Sequence, residues 1–246
     1  IGRCLTLILV SVLASACSDS GSTGGIRFPK MGSLVSEEGR GSFRFGAASA
    51  ATQIEDKNTA TDWYLFTAPV SQGGLGKGTF VGEASRGFSL AKGDIELLRE
   101  MNLDSYRFSI EWARIEPKRD QIDEAAIRHY SDFIDGLLAA GIRPFITLHH
   151  FSNPVWVDDP RDLGCAKGPS DENLCGLGHP TVGPLVIEEM AEHARLLAER
   201  FGDRVDEWGT LNEPVNYILA GYGLGLFPPG KVKLARIVEE FVPIIR

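Results

Sequence analysis

The sequence predicts a (β/α)₈ barrel, of which roughly the first four βα units are present. Four short runs with strand character alternate with segments of helical periodicity, a pattern that favours a parallel sheet covered by helices. Polar and aromatic residues follow each run, at the place where barrel strands carry their active sites. The four runs cover residues 43–47, 105–110, 144–149 and 205–211.

Helical periodicity marks three segments before the later strands, at residues 90–101, 123–140 and 187–201. In the second segment apolar side chains recur at the spacing of one helix face, and Gly141 follows where a helix C-cap favours glycine. We expect all three helices to cover the outer face of the sheet. The predicted buried face of the last helix consists of Ile187, Met190, Ala191, Ala194, Leu197 and Phe201.

The main alternative fold is a doubly wound nucleotide-binding sheet, and residues 46–51 provide evidence against it. That fold places a G-x-G-x-x-G turn after its first strand. The chain has GAASAA at this place, so a dinucleotide site is disfavoured. A full barrel has eight βα units and typically about 250 residues. Since a fifth apolar periodic stretch begins only at residue 234, we expect the remaining units beyond residue 246.

The first residues have the pattern of a secretory signal peptide. Arg3 precedes an apolar run over residues 5–13, and small residues follow it. The run is shorter than the ~20 residues that span a bilayer. A buried first strand is the alternative, but the Ser- and Gly-rich stretch that follows is typical of a flexible linker. We therefore divide the chain into a signal peptide at 1–16, a linker at 17–41 and a barrel domain at 42–246.

Cys17 stands where a bacterial lipoprotein signal places the cysteine that becomes lipidated. The match is imperfect, because Ala14 occupies a position where that signal usually has Leu. Ordinary signal-peptidase cleavage nearby is the alternative. In both cases we expect an exported protein, periplasmic, cell-surface or secreted, and lipidation of Cys17 would anchor it to a bacterial membrane.

Two further cysteines, Cys165 and Cys175, lie close together in one loop. If Cys4 belongs to the signal peptide and Cys17 to the processing site, these two remain as a pair. An oxidising compartment would join them in a disulfide. A zinc site is the alternative, but the sequence offers no clear second pair of ligands. The sequence therefore predicts a structural disulfide and no metal.

The net charge of the chain indicates which classes of binding partner are expected. The formal net charge is −8, and the sequence contains no dense cluster of Lys and Arg. Nucleic acid is therefore not expected as a partner. The acidic balance says nothing against a neutral small molecule such as a sugar, and no organic cofactor is implied.

The sharpest local signal is Thr-Leu-Asn-Glu-Pro at the end of the fourth predicted strand. A carboxylic acid at the end of a buried strand lies in a low-dielectric pocket, which raises its pKa. Glu213 would then be able to donate a proton to a glycosidic oxygen. Asn212 supplies an amide for a sugar hydroxyl, and Pro214 disfavours helical backbone at Glu213. Taken alone, the motif is equally compatible with a surface loop.

Four blocks of the chain resemble glycoside hydrolase family 1, the retaining β-glucosidase and β-galactosidase family. They follow that family's order at suitable spacing and cover about residues 43–230. The blocks are FRFGAASAATQIE at 43–55, YRFSIEWARIEP at 106–117, PFITLHHFSNPVW at 144–156 and WGTLNEP at 208–214, with GYGLG and PG after the last. Each block by itself is weak to moderate evidence, but four in series are specific.

The resemblance implies a role for each matched residue. Glu213 would be the acid/base of a double displacement, and Asn212 would hydrogen-bond the sugar 2-hydroxyl. Gln53 and His150 would hold other ring hydroxyls in the −1 subsite, and Arg107 would lie under the nucleophile carboxylate and favour its ionised form. The implied substrates are terminal β-D-glucosyl or related β-glycosides of oligosaccharides or of aryl and alkyl glycosides.

The chain departs from the family pattern in three places. Phe151 stands where many relatives have Trp, residues 158–178 form an unusual loop, and no Thr-Glu-Asn-Gly-like nucleophile block occurs. We expect the nucleophile beyond residue 246.

Three alternative functions remain. One is a 6-phospho-β-glycosidase, which is disfavoured because phosphosugars are made inside the cell. The others are a carbohydrate-binding relative that has lost one carboxylate and a half-chain that works as an interaction module.

Other polar residues have structural explanations. His129 and His193 fall in predicted helices and are expected to be solvated, whereas His149 alternates to the strand face opposite the next histidine and is expected to pack. Glu111 and Glu116 are expected to be salt-bridged or exposed. The large aromatics assigned to the core are Trp112 and Trp156, and Trp63 belongs either to the core or to the rim of a sugar cleft.

Overall fold

The structure is a computed structural model that describes residues 44–233 and residue 237. Its strands are β1 (Gly46–Ala48), β2 (Ser105–Ser109), β3 (Arg143–His149) and β4 (Glu207–Leu211). Its α-helices are α1 (Ala51–Ile54), α2 (Asp62–Thr67), α3 (Ala91–Glu100), α4 (Trp112–Ile115), α5 (Glu124–Ala139), α6 (Gly183–Phe201) and α7 (Pro214–Ile218). A 3₁₀ turn spans Val70–Gln72 and a π-helix spans Leu219–Gly223. The predicted signal peptide, the linker and Cys17 lie outside the described residues.

The four strands form one parallel sheet in the order β1-β2-β3-β4. Arg107 of β2 lies opposite Ala48 of β1 and Phe145 of β3, and Phe145 lies opposite Glu207 of β4. Neighbouring parallel strands in sequence order are the repeating arrangement of a (β/α)₈ barrel, which confirms the predicted fold class. β1 begins at Gly46 rather than at residue 43.

The helix α5 shows why these segments fold as predicted. The Asp123 side chain caps its first turn by accepting hydrogen bonds from the backbone N–H groups of Ala125 and Ala126. Ile134 and Leu137 on its inner face are fully buried against the sheet. Gly141, with φ of +77°, follows its end and adopts the left-handed backbone that glycine tolerates best.

The helix α6 begins earlier than predicted, and its buried face is rotated from the predicted one. Val186, Glu189, His193, Leu197 and Phe201 are buried on it, whereas Ile187, which was expected in the core, is 42% exposed. The expectation that His193 is solvated is therefore wrong. Its ring stacks on Trp112 at 5.2 Å between centroids, because the 3.6-residue period through Val186 and Leu197 includes position 193.

Two apolar clusters hold the sheet in place. The larger lies between the sheet and the helices α5 and α6, and includes Phe108 of β2 and Ile146 of β3. The smaller lies at the carboxyl end of the sheet, where Trp112 and Trp156 pack edge to face with centroids 5.3 Å apart. Both indoles are buried, as expected of core aromatics. The second cluster also includes Tyr217 of α7, so it supports the elements that carry the site.

None of the helices within residues 44–233 combines the length and apolar character that a membrane crossing requires.

Candidate active site

Two side chains from distant parts of the chain meet at the carboxyl end of the sheet. The Nη2 of Arg107 donates a hydrogen bond of 2.8 Å to Oδ1 of Asn212, 105 positions later in the sequence. The Nε of Arg107 donates to Oγ1 of Thr147 at 2.8 Å. The guanidinium therefore joins β2 and β3 to the residue after β4. It also orients the Asn212 amide so that its nitrogen faces away from Arg107.

Glu213 follows directly and lies where β4 gives way to α7. Its φ is +44°, a left-handed conformation that is uncommon for residues other than glycine. Its carbonyl accepts from the N–H of Tyr217 at 3.0 Å, and its Oε2 accepts from Nδ2 of Asn216 at 2.8 Å. The backbone is thus turned sharply at this residue and is held there by the first turn of α7.

The expectation that Glu213 lies in a low-dielectric pocket is not met by the described residues, because Glu213 is exposed. Glu213 follows β4, which is an edge strand of the described four-stranded sheet.

Gln53 and His150 come together in one cavity of about 310 Å³. Gln53 lies on α1, directly after β1, and His150 directly follows β3. The His150 ring is half-buried, and its Nδ1 has no hydrogen-bond partner within residues 44–233. Burial, followed by the positive charge of Arg107, lowers the pKa of His150 to about 4, and the negative charge of Glu213 partly opposes them. Nδ1 is itself buried, and a neutral imidazole can hydrogen-bond a sugar hydroxyl through its other nitrogen.

Three aromatic rings form a wall of the same cavity. The centroid of Phe227 lies 5.0 Å from that of Trp63 and 5.5 Å from that of Phe151. The Nε1 of Trp63 donates to the carbonyl of Phe151 at 3.0 Å, so the indole supports the cavity wall and its donor is already used. Trp63 therefore lies at the cleft rather than in the core. Sequence reasoning missed Phe227, which no strand-end rule marks.

A buried carboxylate joins the helix α1, which carries Gln53, to the loop that carries His150. Oε2 of Glu111 accepts from Oγ1 of Thr52 at 2.9 Å and from Oγ of Ser152 at 2.8 Å. Glu111 is 1% exposed, so the expectation that it is salt-bridged or exposed is wrong. It lies just beyond the end of β2, where a hydroxyl group of α1 and a hydroxyl group of the loop after β3 both donate to it.

Glu55, a second buried carboxylate, directly follows the helix α1. Its Oε2 lies 2.6 Å from Nε of Arg114, and its Oε1 accepts from the hydroxyl of Tyr130 at 2.8 Å. Burial outweighs the opposing effects of Arg114 and Tyr130 and raises the pKa of Glu55 to about 7. Because its oxygens are engaged with Arg114 and Tyr130, Glu55 serves to anchor α1 rather than to face a substrate.

The loop between β3 and α6 is closed by a disulfide between Cys165 and Cys175, whose Cα atoms are 5.6 Å apart. Cys175 is buried, and its neighbours Leu174 and Leu177 pack into the cluster of Trp112 and Trp156. The loop is therefore packed against the apolar cluster that also includes Tyr217 of α7.

The sequence model of Glycosyl hydrolase family 1 matches residues 36–240. The chain belongs to this family. Among curated proteins, the family 1 chain is 34% identical over 243 residues to beta-glucosidase 6 of Oryza sativa subsp. japonica, covering 94% of this chain and 42% of that protein. It is 36% identical over 197 residues to beta-glucosidase 1B of Phanerodontia chrysosporium, covering 77% and 33%. The chain thus spans less than half the length of these relatives.

Solved structures of family 1 proteins have the same fold as this chain. A beta-glycosidase from Pyrococcus horikoshii superposes with a TM-score of 0.64 at 31% identity, covering 78% of this chain and 40% of that one. The family 1 β-glucosidase of Thermotoga maritima gives 0.65 at 31% identity, with the same coverages. A rice β-glucosidase in which Gln replaces a Glu, solved in a covalent complex with Glc, gives 0.63 at 32%, covering 80% and 38%.

One group of carboxylates in the described part of this family 1 chain has the spacing of metal ligands. Oxygens of Glu116, Asp120 and Glu189 lie within 4.8 Å of one another. Glu116 is buried, contrary to expectation, and accepts from Nε1 of Trp112, while Glu189 accepts from Arg119. The protein's own donors thus already satisfy the two buried members, and none of the three lines the cavity that contains Gln53.

Proposed function

We propose that the whole protein is a retaining β-glycosidase that hydrolyses terminal β-D-glucosyl or related β-glycosides of oligosaccharides or of aryl and alkyl glycosides. The observation that carries this proposal is the contact between Arg107 and Asn212 in a family 1 chain, with Glu213 next in sequence. The cavity that contains Gln53 and His150 supports it. The nucleophile glutamate is assigned to residues outside 1–246.

Each of the site residues described above has a role in the proposed reaction. Protonated Glu213 donates to the glycosidic oxygen while the nucleophile attacks the anomeric carbon, so the C–O bond breaks and the alcohol leaves. Water then attacks the anomeric carbon of the covalent intermediate and gives a proton to the Glu213 carboxylate, while the bond to the nucleophile breaks and releases the sugar and the free nucleophile carboxylate. Asn212, Gln53 and His150 bind sugar hydroxyls, and the positive Arg107 favours the ionised nucleophile. The covalent Glc complex of the rice relative supports a two-step route.

The decisive experiment replaces Glu213 by Gln in the whole protein. Substrates with poor leaving groups should lose turnover strongly, because they need protonation, whereas activated aryl glycosides should be impaired less in the first step. Azide, which needs no base, should restore breakdown of the intermediate. Equal losses on both substrate types without azide rescue would remove Glu213 from the acid/base role.

The described residues give no specific support to the alternative of a phosphosugar substrate. A phosphate group would be bound by Lys or Arg, and none of the described residues that line the Gln53 and His150 cavity is cationic. A carbohydrate-binding relative without catalysis would bind sugar but show no turnover even before Glu213 is replaced, so the assay of the unsubstituted whole protein separates it from the enzyme.

We also propose that the protein is exported and that Cys17 carries a lipid anchor. The disulfide between Cys165 and Cys175 supports export, since structural disulfides persist in oxidising compartments. Mass spectrometry of the mature protein tests both points. A diacylglycerol-modified Cys17 as first residue is the expected result, and an unprocessed N-terminus would contradict export.

A further inference from the structure

Asn153 lies at the meeting point of three segments that carry the proposed active site. Its backbone N–H and its Nδ2 both donate to the carboxylate of Asp62, each at 3.1 Å. Nδ2 also donates to the hydroxyl of Tyr217 at 2.8 Å, and Oδ1 lies 3.1 Å from Nε2 of His149. Asn153 is 2% exposed, and the two donors and one acceptor oxygen of its amide are all engaged.

The orientation of the Asn153 amide follows from its neighbours. The Asp62 carboxylate accepts three hydrogen bonds, two from Asn153 and one from the N–H of Trp63 at 2.7 Å. Burial raises the pKa of Asp62 well above its usual range, and the N–H groups of Asn153 and Trp63 that converge on its oxygens oppose this shift. With the amide nitrogen donating to Asp62 and to Tyr217, the amide oxygen faces His149. Burial lowers the pKa of His149 to about 4. The neutral imidazole therefore donates from Nε2 to the Asn153 oxygen.

The contact with Tyr217 connects this network to Glu213. The N–H of Tyr217 donates to the carbonyl of Glu213 at 3.0 Å, which forms the first turn of α7. α7 has five residues and is too short to be stable by itself. Its buried residues are Tyr217 and Ile218, and the Tyr217 ring packs against His149 with centroids 5.0 Å apart. The hydroxyl of that ring is held by Asn153.

We propose that Asn153 is a positioning residue that fixes Glu213 relative to His150. Through Tyr217 it holds the helix that turns the Glu213 backbone into its left-handed conformation, and through His149 and Asp62 it holds the end of β3 and the start of α2. This inference rests on the proposed function. A polar network with every group satisfied can specify one arrangement, whereas apolar packing would permit several.

The test uses Asn153→Leu, which keeps the side-chain volume, and Tyr217→Phe, which removes only the hydroxyl, both in the whole protein. For each variant kcat and KM are measured on an alkyl β-glucoside and on a dinitrophenyl β-glucoside. A displaced acid delivers its proton poorly, so kcat on the alkyl substrate should fall about tenfold more than kcat on the activated one. KM should change little by comparison.

Ile134→Val is the matched control, because Ile134 is fully buried in the main core and has no polar group. It should lower Tm with equal, small effects on both substrates. If Asn153→Leu fails to fold, Tyr217→Phe carries the test. Equal losses on the two substrates in the folded variants would overturn the positioning role while the selective loss in Glu213→Gln still stands. If Glu213→Gln itself shows no leaving-group dependence, the proposed function fails and this inference fails with it.

Discussion

Lys231 and Asp158 form an ion pair inside the protein, with Nζ of Lys231 2.8 Å from Oδ2 of Asp158 and side chains that are 8% and 0% exposed. The ammonium also donates to the carbonyl of Cys175 at 2.9 Å, and the hydroxyl of Tyr222 donates to Asp158 at 3.1 Å. The pair therefore joins the loop that contains the disulfide to the segment that follows the π-helix.

We expect Asp158→Asn in the whole protein to lower the free energy of unfolding by about 3–5 kcal/mol, because it leaves a buried ammonium without its counter-charge. Adding Lys231→Met should recover most of this loss, since the double variant buries no charge. Urea denaturation measures both. The control is Glu199→Gln in the exposed pair with Arg195, which should cost less than about 0.5 kcal/mol. A loss of that small size in Asp158→Asn would contradict the buried pair.

His193 should make stability depend on pH. Burial lowers its pKa from 6.5 to about 3, so the unfolded chain binds a proton first as the pH falls. The folded state therefore loses stability as the pH drops below 6.5, by about 2 kcal/mol at pH 5 relative to pH 8. His193→Phe keeps an aromatic ring against Trp112 and should remove this part of the acid-side loss. An unchanged difference between pH 8 and pH 5 in the variant would show that His193 is protonated or solvated in the fold.

The disulfide should be present in protein from an oxidising compartment. Mass spectrometry without reduction should show Cys165 and Cys175 joined in one peptide pair. Their replacement by Ser should lower the free energy of unfolding by about 2–4 kcal/mol, because the loop is no longer closed in the unfolded chain. Two free thiols, or stoichiometric zinc in the purified protein, would disprove the disulfide.

The 246 residues expressed by themselves should show no glycosidase activity and a low Tm. β1 and β4 each have one neighbouring strand in the described sheet, and unpaired strand edges favour aggregation. Retaining chemistry also needs a second carboxylate about 5 Å from the acid/base. The whole protein assayed at equal concentration is the control. Hydrolysis of an aryl β-glucoside by the purified 246-residue chain would show that it already contains the nucleophile.

Much of the fold was predictable because its signals are local. The period of apolar residues along α5 and the cap at Asp123 mark one helix without reference to the rest of the chain. Strand-end residues were also predictable as neighbours, since parallel strands bring their carboxyl ends to one edge, and Arg107 and Asn212 indeed meet there. The α6 face was mispredicted because its buried stripe includes two polar side chains, Glu189 and His193, which a search for apolar periodicity does not mark. Each is buried by a tertiary partner, since His193 stacks on Trp112 and Glu189 accepts from Arg119.

The sequence by itself thus determined the family, the order of strands and helices, and the residues at the carboxyl edge of the sheet. Only the tertiary structure decided which buried polar groups pair, such as Glu111 with Thr52 and Ser152, or Asn153 with Asp62 and Tyr217. Local periodicity reports which face of an element is buried, but a hydrogen bond also depends on distance and direction between atoms. For these residues, 41 to 91 positions apart in the sequence, the distance and direction are set only when the elements pack together.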